Sequence, residues 1–177
     1  MKKFLGVIVV LVLALVAVGY FAPKDYEVRK QVTINASPQQ IHAYVGDLEK
    51  WAQWTPWMES DPNMEIKSGS RTTGVGATQS WSGKDGDGEL TFTMSDPEQG
   101  IAYDMAFIME GNRVPASSQM MYEKKGAATE VTWVMTGSWK GAAPPIMDGL
   151  MSLMAPMMIG GDFDKGLTKL KLLVENA

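Results

Sequence analysis

From Asn63 to Lys140 the chain alternates apolar and polar residues in short runs broken by glycine-rich turns, the period of two expected of strands with one dry face. Leu90, Phe92 and Met94 interleave with Glu89, Thr91, Thr93 and Ser95; Ile101, Tyr103, Met105, Phe107 and Met109 interleave with shorter or polar residues; Val131, Trp133, Met135 and Trp139 repeat the pattern. Residues 83–88 and 124–127 read as hairpin connections, because Gly and Asp tolerate the positive φ that tight turns need. Successive hairpins make the sheet antiparallel. Its dry face is rich in aromatic rings and Met.

Flanking segments supply what covers that face. Tyr26, Val28, Val32 and Ile34 alternate with Glu27, Arg29, Gln31 and Thr33 in a further half-buried strand over Tyr26 to Asn35, with Lys30 the one polar residue on the apolar side. Ser37-Pro38-Gln39-Gln40 then carries the elements of a capping box, and Ile41, Tyr44, Val45 and Leu48 follow at the spacing of one helical face ending near residues 46–48. A short helical turn bearing Trp51 and Trp54 comes next, stopped by Pro56 before Trp57. After Pro144-Pro145 a long helix sets Met147, Met151, Met154 and Met158, then Phe163, Leu167, Leu170 and Val174, at helical spacing; Pro156 and Gly160-Gly161 predict a kink in its middle.

The N-terminus is a different kind of segment. Phe4 to Ala22 contains no charged or strongly polar side chain and follows Lys2-Lys3, and at about 1.5 Å per residue a helix of that length reaches across a bilayer core. It reads as a retained single-pass anchor over residues 1–23, with residues 24–177 as one domain. A cleaved signal peptide is the alternative, with Ala17-Val18-Gly19 as a tolerable small-x-small site. The two leading lysines favour a cytoplasmic N-terminus and an exported domain at the inner membrane, with a secreted or periplasmic product if cleavage occurs. Outside Lys2 and Lys3 the chain holds 14 basic against 20 acidic residues, a charge of −6 that argues against nucleic acid as a partner.

Chemistry-bearing constellations are sparse. The chain has no cysteine and a single histidine, so disulfides, thiolate nucleophiles and His- or Cys-ligated metal are not expected, and no cofactor motif occurs. His42 falls between the apolar positions of its helix and reads as a solvated surface residue rather than a catalytic one. Asp104 and Glu110 alternate outward, although with Arg113 they could orient a head group. Lys30 reads as an edge residue that reaches water, or as a partner for an anionic head group. The run Asp85 to Glu89 lacks the glycine and the twelfth-position glutamate of a calcium loop and reads as a turn. Asn35-Ala36-Ser37 has the form of a glycosylation sequon, but Ser37 is accounted for as the helix cap.

The order strand, capped helix, Trp-rich turn, antiparallel strands and long final helix is that of a helix-grip fold. Several motifs join that order: Asp47-Leu48 with Trp51, Trp54 and Trp57; Gly74-Val75-Gly76; Trp81-Ser82-Gly83 with Gly86 and Gly88; residues 129–133; and Phe163-Asp164-Lys165-Gly166-Leu167 continuing to Lys171. Together they resemble the bacterial polyketide cyclase/dehydrase branch of the START-like (SRPBCC) superfamily over nearly all of Tyr26 to Glu175. The resemblance implies an α+β fold, a curved sheet of about seven strands around the C-terminal helix, with a hydrophobic cavity between them. Members mostly bind lipids or other apolar molecules, a minority catalyse cyclisation or dehydration, and no shared catalytic motif carries over.

On that reading the expected cavity lining is Trp54, Trp57 and Trp81; Phe92, Tyr103, Met105, Phe107, Met120, Tyr122, Trp133 and Met135 on the sheet; and Met151, Met154 and Met158 on the helix. Each group has a plainer alternative: the tryptophans as core packing, the methionines as gap-fillers. Three functions follow: a membrane-tethered, cofactor-free binder of an apolar molecule; a cyclase or dehydratase using Tyr103, Tyr122 or Lys30; or a cavity-less interaction module for an envelope protein.

Overall fold

A computed structural model describes the backbone of residues 2–84, 86–109 and 111–177, with all their side chains except those of Lys2, Leu5 and Met109. Helix α1 spans Lys2–Phe21, followed by strand β1 (Asp25–Ile34) and helix α2 (Pro38–Val45). The expected capping box is present: the Ser37 hydroxyl accepts from the Gln40 backbone N–H, and the Gln40 side chain accepts from the backbone N–H of Ser37. A 3-10 turn (Leu48–Gln53) and the short helix α3 (Trp57–Ser60) carry the tryptophan run. Strands β2 (Glu65–Ser68), β3 (Thr78–Ser82), β4 (Asp87–Asp96), β5 (Gly100–Met109), β6 (Asn112–Lys125) and β7 (Ala128–Ser138) follow, then helix α4 (Pro145–Glu175).

All seven strands form one antiparallel sheet in the order β1-β7-β6-β5-β4-β3-β2. The β6–β7 turn contains Gly126 at φ +67, the left-handed conformation anticipated for that connection. Helix α4 runs along β1: the Ser152 hydroxyl donates to the Lys24 carbonyl at one end, and Glu175 accepts from the Asn35 backbone N–H at the other. The helix-grip architecture is thereby established.

Several details differ from the sequence reading. Helix α4 is not interrupted at Pro156 and Gly160-Gly161 but runs as one element from Pro145 to Glu175. Lys30 does occupy an edge strand, but its ammonium meets Asp164 of α4 at 2.6 Å instead of only water. Among the described residues no helix is long and apolar enough to cross a membrane. Helix α1 is 20 residues long. Most of its side chains are nevertheless apolar and exposed, from Val7 to Phe21.

Candidate functional site

Cross-strand register divides the inner face of the sheet into rows. Ile101, Met120, Trp133 and Lys30 form one row; Phe92, Tyr103, Ser118, Met135 and Val28 form the next; Leu90, Met105, Ala116, Gly137 and Tyr26 a third; Phe107 and Val114, with Trp81 beside them across Gly88, close the series. The first two rows lie under the C-terminal half of α4 and the last two toward its N-terminal half, because α4 passes Lys24 at residue 152 and Asn35 at residue 175.

Beneath the C-terminal half the interior is filled. Trp133 stacks on Phe163 with ring centroids 3.8 Å apart and planes 6° from parallel, and Gly166 lets α4 close over the same indole. Trp54 packs edge-on to Trp133, and Trp51 packs on Trp54, Phe92 and Tyr103. The Trp133 indole N–H lies within hydrogen-bonding distance of the Tyr103 hydroxyl (3.2 Å) and the Ser118 hydroxyl (3.1 Å), and Ser118 donates onward to the Val134 carbonyl. Burial pushes the Tyr103 phenol up to about 12, so it is neutral at physiological pH. The tryptophan run is core here: Trp51 and Trp54 are buried and Trp57 packs edge-on to Trp133.

The other end is less closed. Trp81, Met105, Phe107 and Trp139 face inward yet remain partly accessible, beside the small residues Ala116 and Gly137. Tyr26 and Trp139 stack there with centroids 5.6 Å apart. The Tyr26 hydroxyl and the Trp139 indole nitrogen are both buried without a hydrogen-bond partner in the protein, an arrangement that natural interiors seldom leave unresolved. Trp54 has a similar unpartnered nitrogen, but within the filled end.

The expected lining therefore separates into groups. Trp54, Phe92, Tyr103, Met120, Trp133 and Met135 are buried in the core. Trp57, Trp81, Met105 and Phe107 are half-buried, and so is Met151. Met154 and Met158 are 47% and 63% exposed and point away from the sheet, which corrects their placement inside the grip. The inward side of that part of α4 is made instead of Gly149, Ser152 and Ala155, whose small side chains permit the close approach to β1 and α1. Tyr26 and Trp139 lie outside the lining that the sequence predicts: their alternation with outward residues puts them on the dry face, but nothing local distinguishes them from core.

A concavity of about 940 Å³ lies elsewhere. Its exposed lining residues, among them Glu27, Thr91, Asp104, Ser117 and Thr136, alternate outward and stand in register across five strands, whereas Tyr26, Leu90 and Ala116 beneath them are buried. It is thus a trough over the outer face. Asp104 is exposed on that face, as its alternation implied, and accepts from Ser117; Arg113 pairs with Glu89. Glu110 and Asp85 lie outside the described residues.

His42 is half-buried rather than solvated. One ring nitrogen is 3.1 Å from the Ser95 hydroxyl and the other 3.4 Å from the Tyr122 hydroxyl, and Gly46, one turn on, leaves room for the imidazole. Burial lowers its pKa, with the nearby Asp96 carboxylate opposing; burial also raises that of Tyr122. Tyr103, Tyr122 and Lys30, the polar groups considered for catalysis, have separate partners: Trp133, His42 and Asp164. No group of three or more His, Cys, Asp or Glu able to hold a metal occurs among the described residues.

The fold recurs widely among solved structures. Protein CV1439 from Chromobacterium violaceum superposes with a TM-score of 0.61 at 15% identity, covering 84% of this chain and 96% of its own. Norcoclaurine synthase from Thalictrum flavum, solved in complex with dopamine and hydroxybenzaldehyde, gives 0.61 at 13% identity over 89% of this chain and 91% of its own. Protein Ms6760 from Mycobacterium smegmatis gives 0.57 at 15% identity, with 85% and 91% covered. At such identities the likeness is one of fold. No curated protein matches the chain. Residues 25–175, nearly the whole of the gripped domain, match the sequence pattern described as polyketide cyclase/dehydrase and lipid transport, and the chain belongs to that family.

Proposed function

We propose that this protein binds an apolar small molecule at the accessible end of the grip, against Trp81, Met105, Phe107 and Ala116, while α1 tethers the domain to the inner membrane with the domain on the exported side. The observation that carries the site is the Tyr26–Trp139 pair: two buried polar atoms without partners, set among accessible apolar side chains. A ligand with one polar group among hydrocarbon would match a surface whose affinity comes from apolar burial and whose orientation comes from a few polar atoms. The family's description names lipid transport, and norcoclaurine synthase shows small molecules held by a related fold.

Native mass spectrometry of the full chain, extracted gently from membranes, tests this reading. The wild type is expected to carry a co-extracted apolar molecule. Ala116→Phe, which projects a ring into the accessible end, should reduce occupancy by about tenfold, a loss of about 1.4 kcal/mol in binding. A wild type that carries no such molecule, and whose Tm is unmoved by phospholipids and long-chain fatty acids, overturns the proposal.

A further inference from the structure

Helix α4 changes character at its middle. From Ile146 to Gly161 the only charged side chain is Asp148, and its carboxylate is buried, accepting from the backbone N–H groups of Gly141 and Ala143 at 2.9 Å each. Charge resumes at once beyond that point with Asp162, Asp164 and Lys165. Within the uncharged half Met147, Leu153, Met154, Met157 and Met158 are all exposed, Met157 by 76%.

This apolar stripe adjoins another. Helix α1 meets α4 glycine to glycine: a Cβ on Gly149 would collide with the Gly19 carbonyl, and one on Gly19 would come within 2.6 Å of the Ile146 carbonyl. The close crossing brings the end of α1, where Tyr20 and Phe21 are exposed, to the start of the uncharged half of α4. Lys24 fixes the junction by donating to the carbonyls of Gly19 and Tyr20. Contiguous apolar surface of this extent is rare on a protein surrounded by water. Aromatic residues at the end of an apolar helix suit the headgroup level, and unbranched, polarizable Met side chains adapt to acyl chains.

We propose that the N-terminal half of α4 lies in the headgroup–acyl boundary of the bilayer beside the point where α1 emerges. The accessible end of the grip, which lies toward the same half of the helix, is then held close to the bilayer surface. This rests on the tethering role proposed for α1. A helix whose apolar side seats about 5–10 Å into the interface supplies the geometry.

Because the chain has no cysteine, single cysteines carrying an environment-sensitive fluorophore report each position. The full chain is reconstituted into phosphatidylcholine/phosphatidylglycerol vesicles containing doxyl-labelled lipid, with labels at Leu13→Cys, Met154→Cys, Met158→Cys and Thr168→Cys. All four side chains are exposed, so folding is preserved. Labels at 13, 154 and 158 are expected to be quenched about twofold or more relative to lipid without doxyl groups, with shallow quencher most effective at 154 and 158 and none effective at 168. Quenching at 13 without quenching at 154 and 158 overturns the interfacial seating alone. No quenching at 13 overturns the tether and the seating with it. Cross-linking of position 154 between copies in place of lipid quenching assigns the stripe to a second copy and likewise overturns the proposal.

Discussion

The two ends of the grip use the same ingredients to opposite effect. Under the C-terminal half of α4, Trp133, Phe163 and Trp54 interlock, the indole N–H of Trp133 finds oxygen acceptors, and Leu167 and Leu170 are nearly inaccessible. Toward the N-terminal half, Trp81, Phe107 and Trp139 remain partly accessible, and two buried polar atoms lack partners. Large side chains on the helix face the sheet at the first end, whereas at the second the helix presents Gly149, Ser152 and Ala155 inward and turns its methionines out. Stability is therefore expected to reside at one end and ligand exchange at the other.

That division is broken most directly by truncating one ring at each end. Phe163→Ala removes the partner stacked on Trp133 and leaves a cavity in a fully packed layer, so denaturant unfolding should show a loss of about 3–5 kcal/mol. Phe107→Ala removes a ring that is already partly hydrated and should cost about 1 kcal/mol while weakening ligand occupancy. Equal losses at the two positions would mean that the ends are equally packed.

Much of this architecture is legible in the sequence because its signals are local. The Ser37–Gln40 capping box is set within four residues, and the strand alternation places Phe92, Tyr103 and Trp133 on the inner face without knowledge of their partners. The candidate site is less legible, for two physical reasons. Helical spacing groups Met147, Met154 and Met158 into a stripe but does not say which way the stripe faces; the close approach of α4 to β1 and α1 through small residues decides that. His42 is half-buried by Ser95 and Tyr122, which lie 53 and 80 positions away, and no local pattern announces such a contact.

His42 supplies a smaller test, on the side of the fold stabilised by long-range packing. Burial lowers its pKa below the ordinary 6.5, so the folded state favours the neutral ring. Just below that ordinary value the unfolded chain binds more protons than the folded one. The stabilising contribution is therefore complete above about pH 6.5 and is lost as pH falls toward the depressed folded value. Asp96 limits the effect: its carboxylate, held below its usual range by the backbone N–H groups of Glu98 and Gln99, stays charged throughout this window and attracts the protonated ring. Thermal melts between pH 7.5 and 5 should show a steeper decline for the wild type than for His42→Asn. Parallel declines would mean that the ring is solvated in both states.

The smallest expected effect belongs to the ion pair where the filled end meets the edge of the sheet. Lys30 is the one charged residue on the inner side of β1, its stem passes Gly160 of α4, and its ammonium reaches Asp164 at 2.6 Å. Both side chains are substantially exposed, 34% and 55%, so water screens the attraction and the pair should be worth no more than about 1 kcal/mol. A double-mutant cycle with Lys30→Met and Asp164→Ala isolates that value. Lys30→Met keeps a flexible apolar stem over Gly160 and is expected to unfold almost as the wild type does, with the coupling to Asp164 falling further as salt rises. A coupling well above 1 kcal/mol and insensitive to salt would show that this edge of the filled end is drier than its exposure indicates.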